Sequence, residues 1–250
     1  MKEMIVKVWG MRDGENIREV AELGVQWIGM IFWDKSPRNV TMIPTYAGII
    51  PDRSPLNPQS SAEVSQPSTL NPQRTAEVTQ HSTLNPQPSS PLRVGVFVDE
   101  MPQNIITRVV NFKLDLVQFH GSESPTAIRN LRRTLDPDIR PGIRFIKAIS
   151  VGCREDIDTY KQYEDCVDYF IFDTRSPSVG GSGEHFDWSL LDAYDGDKPF
   201  LLSGGIGPDD AGRVLAFHHP RCIGIDLNSR FETAPGIKDT QKLKQFLDQL

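Results

Sequence analysis

Asp168-Tyr169-Phe170-Ile171-Phe172-Asp173 is the stretch that decides how this chain folds. Four large apolar residues follow one another without the polar alternation of a half-exposed strand, and a carboxylate closes the run. A strand of this kind is buried on both faces, as in a parallel sheet covered by helices. Working outward, comparable runs occur at Ile5–Trp9, Trp27–Phe32, Arg93–Val98, Asp115–Phe119, Ile143–Ile149, Pro199–Ser203 and Cys222–Leu227. Amphipathic stretches alternate with them at Glu15–Leu23, Met42–Ile50, Gln103–Phe112, Ser124–Thr134, Glu155–Glu164, Trp188–Ala193, Asp209–Phe217 and Thr240–Gln249. Eight βα units in strict alternation predict an α/β fold, a single (β/α)8 TIM barrel spanning 1–250. A doubly wound sheet is the alternative, but it does not require eight units.

One segment stands outside the alternation. Residues 51–92 hold eight of the 19 prolines, no glycine and no aromatic residue. Ser54-Pro-Leu-Asn-Pro-Gln59, Ser68-Thr-Leu-Asn-Pro-Gln73 and Ser82-Thr-Leu-Asn-Pro-Gln87 repeat every 14 residues. Each unit brings about one Leu and one Val, too little burial to offset the chain entropy of ordering it. The segment therefore reads as a disordered repeat insert between helix 2 and strand 3, on the barrel face away from the chemistry. About 208 residues remain for the barrel, near the lower end of its size range.

The formal charge of −6, with no basic run, argues against nucleic acid or an anionic membrane as a partner. No apolar run reaches the length of a bilayer span, and Lys7 interrupts what a signal peptide would keep apolar. Three cysteines, Cys153, Cys166 and Cys222, are odd in number and lack metal-ligand spacing. A cytoplasmic protein, monomer or homodimer, is the expectation.

In a barrel, the residues that carry chemistry end the strands. Lys7 and Trp9 share the inward face of the first strand by the period of two. Gln118 and His120 share a face at the end of the fourth, and Asp173 ends the sixth as a candidate acid. Asp34-Lys-Ser-Pro-Arg38 follows the second strand, and the planar fork of Arg38 suits a carboxylate. Ser203-Gly204-Gly205-Ile206-Gly207 and Asp226-Leu227-Asn228-Ser229 follow strands seven and eight, where this barrel class binds phosphate. Gly180-Gly-Ser-Gly183 lacks dinucleotide-binding spacing and reads as a mobile loop over the site.

Lys7-Val-Trp-Gly-Met11, Lys35-Ser-Pro-Arg38, Val117-Gln-Phe-His-Gly121, Phe172-Asp-Thr174, Gly180-Gly-Ser-Gly183 with Phe186-Asp-Trp188, Ser203-Gly-Gly-Ile206 and Gly224-Ile-Asp-Leu-Asn-Ser229 with Glu232-Thr-Ala-Pro-Gly236 together resemble the phosphoribosylanthranilate isomerase family of tryptophan biosynthesis. The resemblance implies a phosphorylated small-molecule substrate, N-(5-phosphoribosyl)anthranilate, and no cofactor or metal. It implies Asp173 as the general acid, Lys7, Arg38, Gln118, His120 and Asp226 around the substrate, and Gly204, Gly205, Asn228 and Ser229 around the phosphate. At one position the chain departs from the pattern: the family's general-base cysteine in Lys-x-Cys-Gly is here Trp9. An indole donates only through its N–H and has no basic lone pair, and its bulk is expected to project into the mouth. That departure implies impaired turnover, or alternatively a silenced phosphosugar-binding barrel or scaffold.

Overall fold

A computed structural model describes residues 4–41, 90–174 and 187–250. Eight strands close on themselves: β1 (Ile5–Trp9), β2 (Trp27–Phe32), β3 (Leu92–Phe97), β4 (Leu116–Phe119), β5 (Arg144–Val151), β6 (Tyr169–Thr174), β7 (Phe200–Leu202) and β8 (Cys222–Leu227). Every neighbouring pair is parallel, and β8 returns to β1 through Ile5–Gly224 and Lys7–Asp226. The helices are α1 (Gly14–Glu22), α2 (Pro102–Asn111), α3 (Pro125–Leu135), α4 (Arg154–Ile157), α5 (Ala211–Ala216) and α6 (Thr240–Leu247). This is the (β/α)8 barrel that the uninterrupted apolar runs predict.

The wall separates two cores. Outward side chains such as Val8, Ile28, Phe97, Phe145, Phe170, Phe172 and Leu227 pack with Ile17, Val20, Ile105, Ile128, Leu131 and Phe246 from the helices. Inward side chains form a second cluster of Trp9, Trp27, Ile31, Val94, Val96, Leu116, Ile146, Ala148, Ile171 and Leu201. Helix starts are set by side-chain caps: Asp13 accepts from the Asn16 amide, Ser124 from Ala127, and Asp239 from Lys242.

Several boundaries differ from expectation. Leu92 belongs to β3, not to the insert, because its amide donates to the Gln26 carbonyl and continues the ladder with β2. Val98 falls outside β3. The helix expected at Glu155–Glu164 is one α turn, Arg154–Ile157, followed by a 3-10 turn, Asp158–Gln162. Asp156 turns back onto the Gly152 and Cys153 amides, and Asp158, Thr159 and Tyr160 are weak helix formers. Trp188–Ala193 is also 3-10. A short antiparallel hairpin, β9 (Glu232–Ala234) and β10 (Ile237–Lys238), stands between β8 and α6 and had no counterpart in the expected alternation. The helix expected at Met42–Ile50, the repeats of the insert, and the Gly180–Gly183 loop lie outside the described residues.

Candidate active site

Period-two alternation brings Lys7, Trp9, Gln118, Asp173, Ser203, Asp226 and Asn228 together at the C-terminal mouth. Lys7 Nζ lies 2.7 Å from Asp226 Oδ1, and both side chains are 0% exposed. Burial pushes the lysine's pKa down and the aspartate's up, and each partner partly restores the other's charge. Ser203 Oγ stands 3.2 Å from Asp226 Oδ2 and 3.3 Å from Asp173 Oδ1. With one hydroxyl hydrogen it donates to one carboxyl at a time, which suits one ionised and one protonated acid. Asp173 is the protonated candidate: burial, then repulsion from Asp226, raises its pKa to about 6. Its Oδ1 also accepts from the Thr174 amide at 2.9 Å, and its side chain keeps 12% exposure. Of the two carboxyls, only Asp173 can therefore be reached from the mouth.

His120 Nε2 lies 3.6 Å from Asp173 Oδ2. Burial, with repulsion from Lys147 and Lys7, lowers the imidazole's pKa to about 3, so it is neutral over the whole physiological range. Its Nδ1 is 3.0 Å from the Gln118 amide nitrogen, and Gln118 Oε1 is buried with no partner among the described residues. The loop beyond it is fixed by Lys147, which donates to the Gly121 carbonyl at 2.6 Å and pairs with Glu123 at 3.2 Å.

Trp9 lies at the mouth, as its inward parity predicts. Its indole is 3% exposed and stacks on His120, with centroids 5.4 Å apart and planes inclined by 28°. Lys7 Nζ lies 5.0 Å from its ring centroid. Gly29 on the neighbouring strand accommodates the start of this side chain, since a Cβ there would stand 2.5 Å from Trp9 Cβ. The ring is thus buried within the mouth, packed against His120 and Lys7. Its Nε1 is buried without a partner among the described residues.

Arg38 differs from expectation. The fork expected to hold a ligand carboxylate grips Glu232 through Nε and Nη2, at 2.9 and 2.7 Å. Lys238 Nζ reaches Glu232 at 2.8 Å and Asn228 Oδ1 at 2.7 Å. Burial lowers the Lys238 pKa to about 8, even beside Glu232. Asn228 Nδ2 is left buried with no partner among the described residues, a donor available to a bound acceptor. Ser203 and Glu232 stood in quoted motifs without a role of their own, and Lys238 was not singled out from sequence. Ser203 could have been, since it continues the inward alternation of β7, whereas the Arg38–Glu232 pair joins residues 194 positions apart.

Gly204 and Gly205 follow β7 with φ of +93° and +68°, values that residues with a Cβ resist and that let backbone approach an anion closely. Ser229 opens a 3-10 turn after β8. The two loops touch: a Cβ on Gly207 would stand 3.1 Å from Arg230 Nε. Among the described residues, no group of His, Cys, Asp and Glu is arranged to hold a metal ion, and no helix is long and apolar enough to cross a membrane.

The chain matches the family model described as N-(5'phosphoribosyl)anthranilate (PRA) isomerase over residues 58–249. It is 41% identical over 247 residues to the N-(5'-phosphoribosyl)anthranilate isomerase of Parabacteroides distasonis, covering 99% of this chain and 93% of that protein. It is 36% identical to that of Phocaeicola vulgatus, covering 99% and 98%. Among solved structures, the phosphoribosylanthranilate isomerase of Thermotoga maritima superposes with a TM-score of 0.69 at 26% identity, covering 99% of this chain and 98% of that one. Another, in complex with reduced 1-(o-carboxyphenylamino)-1-deoxyribulose 5-phosphate, gives 0.68 at 25% identity and the same coverage. By family match, near-full-length identity and fold together, this chain belongs to the N-(5'-phosphoribosyl)anthranilate isomerase family.

Proposed function

We propose that the chain isomerises N-(5-phosphoribosyl)anthranilate to 1-(o-carboxyphenylamino)-1-deoxyribulose 5-phosphate, a step of tryptophan biosynthesis. The carrying observation is Asp173, a reachable carboxyl with its pKa raised to about 6 at the mouth of the barrel. The reaction begins when an acid protonates the furanose ring oxygen. The C1′–O bond then breaks toward oxygen, while the anthranilate nitrogen's lone pair forms the C1′=N bond of a protonated Schiff base. A carboxyl with its pKa raised to about 6 keeps a protonated fraction near neutrality and is matched to that step.

The other mouth groups take supporting roles. Lys7 and Asp226 form a fully buried pair whose carboxylate, acting through space, strengthens Asp173's hold on its proton, while Ser203, donating to Asp173, weakens it. Neutral His120, with Gln118 behind it, lines the reacting carbons without adding charge. Arg38, held by Glu232, keeps its Nη1 hydrogens for the anthranilate carboxylate. The Gly204–Gly205 backbone, Asn228 Nδ2 and Ser229 receive the 5-phosphate. The ligand is a phosphorylated small molecule, processed in the cytoplasm by a monomer or homodimer without cofactor or metal. The relatives are named as isomerases and lend no support to the reading of a silenced binding barrel.

Substrate conversion changes anthranilate fluorescence, which provides the assay. Purified protein should consume N-(5-phosphoribosyl)anthranilate and yield the ribulose product by mass-identified chromatography. Folded protein that leaves the substrate to its uncatalysed decay would overturn the proposal.

A further inference from the structure

The isomerisation needs two proton transfers at neighbouring atoms, one to the ring oxygen and one from C2′, and the mouth offers few groups able to make them. Asp226 is 0% exposed and bound to Lys7, itself 0% exposed. His120 is neutral, and a buried imidazole hemmed by Lys147 and Lys7 has little affinity for a second proton. The indole of Trp9 has no basic lone pair. Cys222 begins β8 at the opposite end of the barrel, Cys166 is buried with its thiol donating to the Tyr163 carbonyl, and Cys153 is exposed ahead of α4, its thiol pKa pushed up by the hydrogen bond to Glu155. Glu232 is engaged by Arg38 and Lys238. Among the described residues, one reachable carboxyl remains, that of Asp173.

Resting on the function proposed above, we infer that Asp173 makes both transfers, as the acid that opens the ring and then as the base that removes the C2′ proton. The ring oxygen and C2′ are both bonded to C1′, the same 1,3 relation that the two oxygens of a carboxyl have to each other, so one carboxyl spans both. Asp173 first gives its proton to the ring oxygen and becomes a carboxylate beside the protonated Schiff base. It then takes the proton from C2′. The C2′–H electrons form C1′=C2′, and the C1′=N π electrons return to nitrogen, giving the neutral enolamine. Asp173 ends protonated, as it began, so no second enzyme group must exchange its proton between turnovers. The enolamine reaches the ketone by losing its C2′ hydroxyl proton and gaining one at C1′ from solvent. The groups that face Asp173 are arranged for this return: Ser203 from β7, Asp226 from β8, Lys7 from β1 and His120 from the end of β4.

The test is the pH dependence of kcat/KM for the wild-type protein between pH 5 and 9. A single group that starts protonated predicts one descending limb, whereas separate acid and base groups produce a bell. An ascending acid limb that His120→Asn or Asp226→Asn abolishes would give the base to that residue and overturn the inference. Asp173→Asn should lose more than about 10⁴-fold in turnover, beyond the loss of one proton transfer. It should still bind the fluorescent product, and retained turnover would also overturn the inference. If that variant fails to fold, Asp173→Glu must retain a single limb, and a bell in that variant counts against the inference in the same way. Wild-type protein that binds product but turns over no substrate removes the function proposed above. A bell-shaped profile removes only the double role of Asp173.

Discussion

The two ends of the barrel interior are built from the same strands on the same alternation, yet they are chemically opposite. Toward the N-terminal end, Trp27, Val94, Leu116, Ile146, Ile171 and Leu201 fill the barrel with apolar side chains. Toward the C-terminal end the inward positions become Lys7, Gln118, Asp173, Ser203, Asp226 and Asn228, all buried, with Trp9 packed among them. The apolar end gains stability from each methylene it buries. The polar end loses some of it, because each charge there must be paired or must give up its ionisation. The wall is the same at both ends, so the mouth's polarity is a departure from the best packing, and function is the physical reason to keep it.

Substitutions can break this contrast. The largest effect is expected at Asp173: Asp173→Asn should abolish turnover while stabilising the fold at alkaline pH. Its carboxyl has a higher pKa folded, about 6, than the 3.8 of an unperturbed aspartate. The native state therefore holds that proton more tightly than the unfolded chain. The resulting stability is complete below about pH 4 and lost as pH rises through about 6. The Asn variant lacks this loss and should be more stable than wild type at pH 8 by roughly 1–3 kcal/mol, an advantage that vanishes near pH 4. Chemical denaturation at both values checks the sign.

Next comes Asp226→Ala, which strands the fully buried Lys7 and should cost about 3–5 kcal/mol in denaturant unfolding. Ile146→Ala, in the apolar end, should cost roughly 2–5 kcal/mol and leave the shape of the pH–rate profile unchanged. A shifted profile in that variant would mean that the two ends are coupled. Glu232→Gln loosens the grip on Arg38 and should raise KM about tenfold with little change in kcat, because the lost contact serves binding rather than a proton transfer. A fall in kcat alone would contradict that division. The smallest effect is at the surface: Lys244→Ala breaks an exposed pair with Asp248 and should change stability by less than about 0.5 kcal/mol.

The contrast also accounts for what sequence reading could reach. Strands buried on both faces announce themselves as apolar runs, so all eight were legible; parity placed Lys7 with Trp9 and Gln118 with His120, Asp173 stood out as the carboxylate ending its run, and Asp226 took its role from the family resemblance. Leu92 was misassigned because its neighbours share the insert's composition and only pairing with β2 makes it a strand residue. The β9–β10 hairpin, three residues against two, is too short for any period to register. Arg38 could be read as a carboxylate binder, but not as a side chain already gripped by Glu232, since that bond depends on tertiary closure. Trp9 was expected to crowd the mouth because its size was visible in the sequence. The stacking of its ring on His120 was not, since their adjacency exists only once β1 and β4 close into one barrel.

The claim at the centre of this account is that the polar mouth turns over N-(5-phosphoribosyl)anthranilate by way of Asp173. The most direct measurement is the fluorescence-monitored rate of substrate conversion by wild-type protein beside Asp173→Asn, both shown to be folded and to bind product. The account predicts conversion by the wild type and none above background by the variant. Equal rates in the two, or no conversion by either, would contradict it.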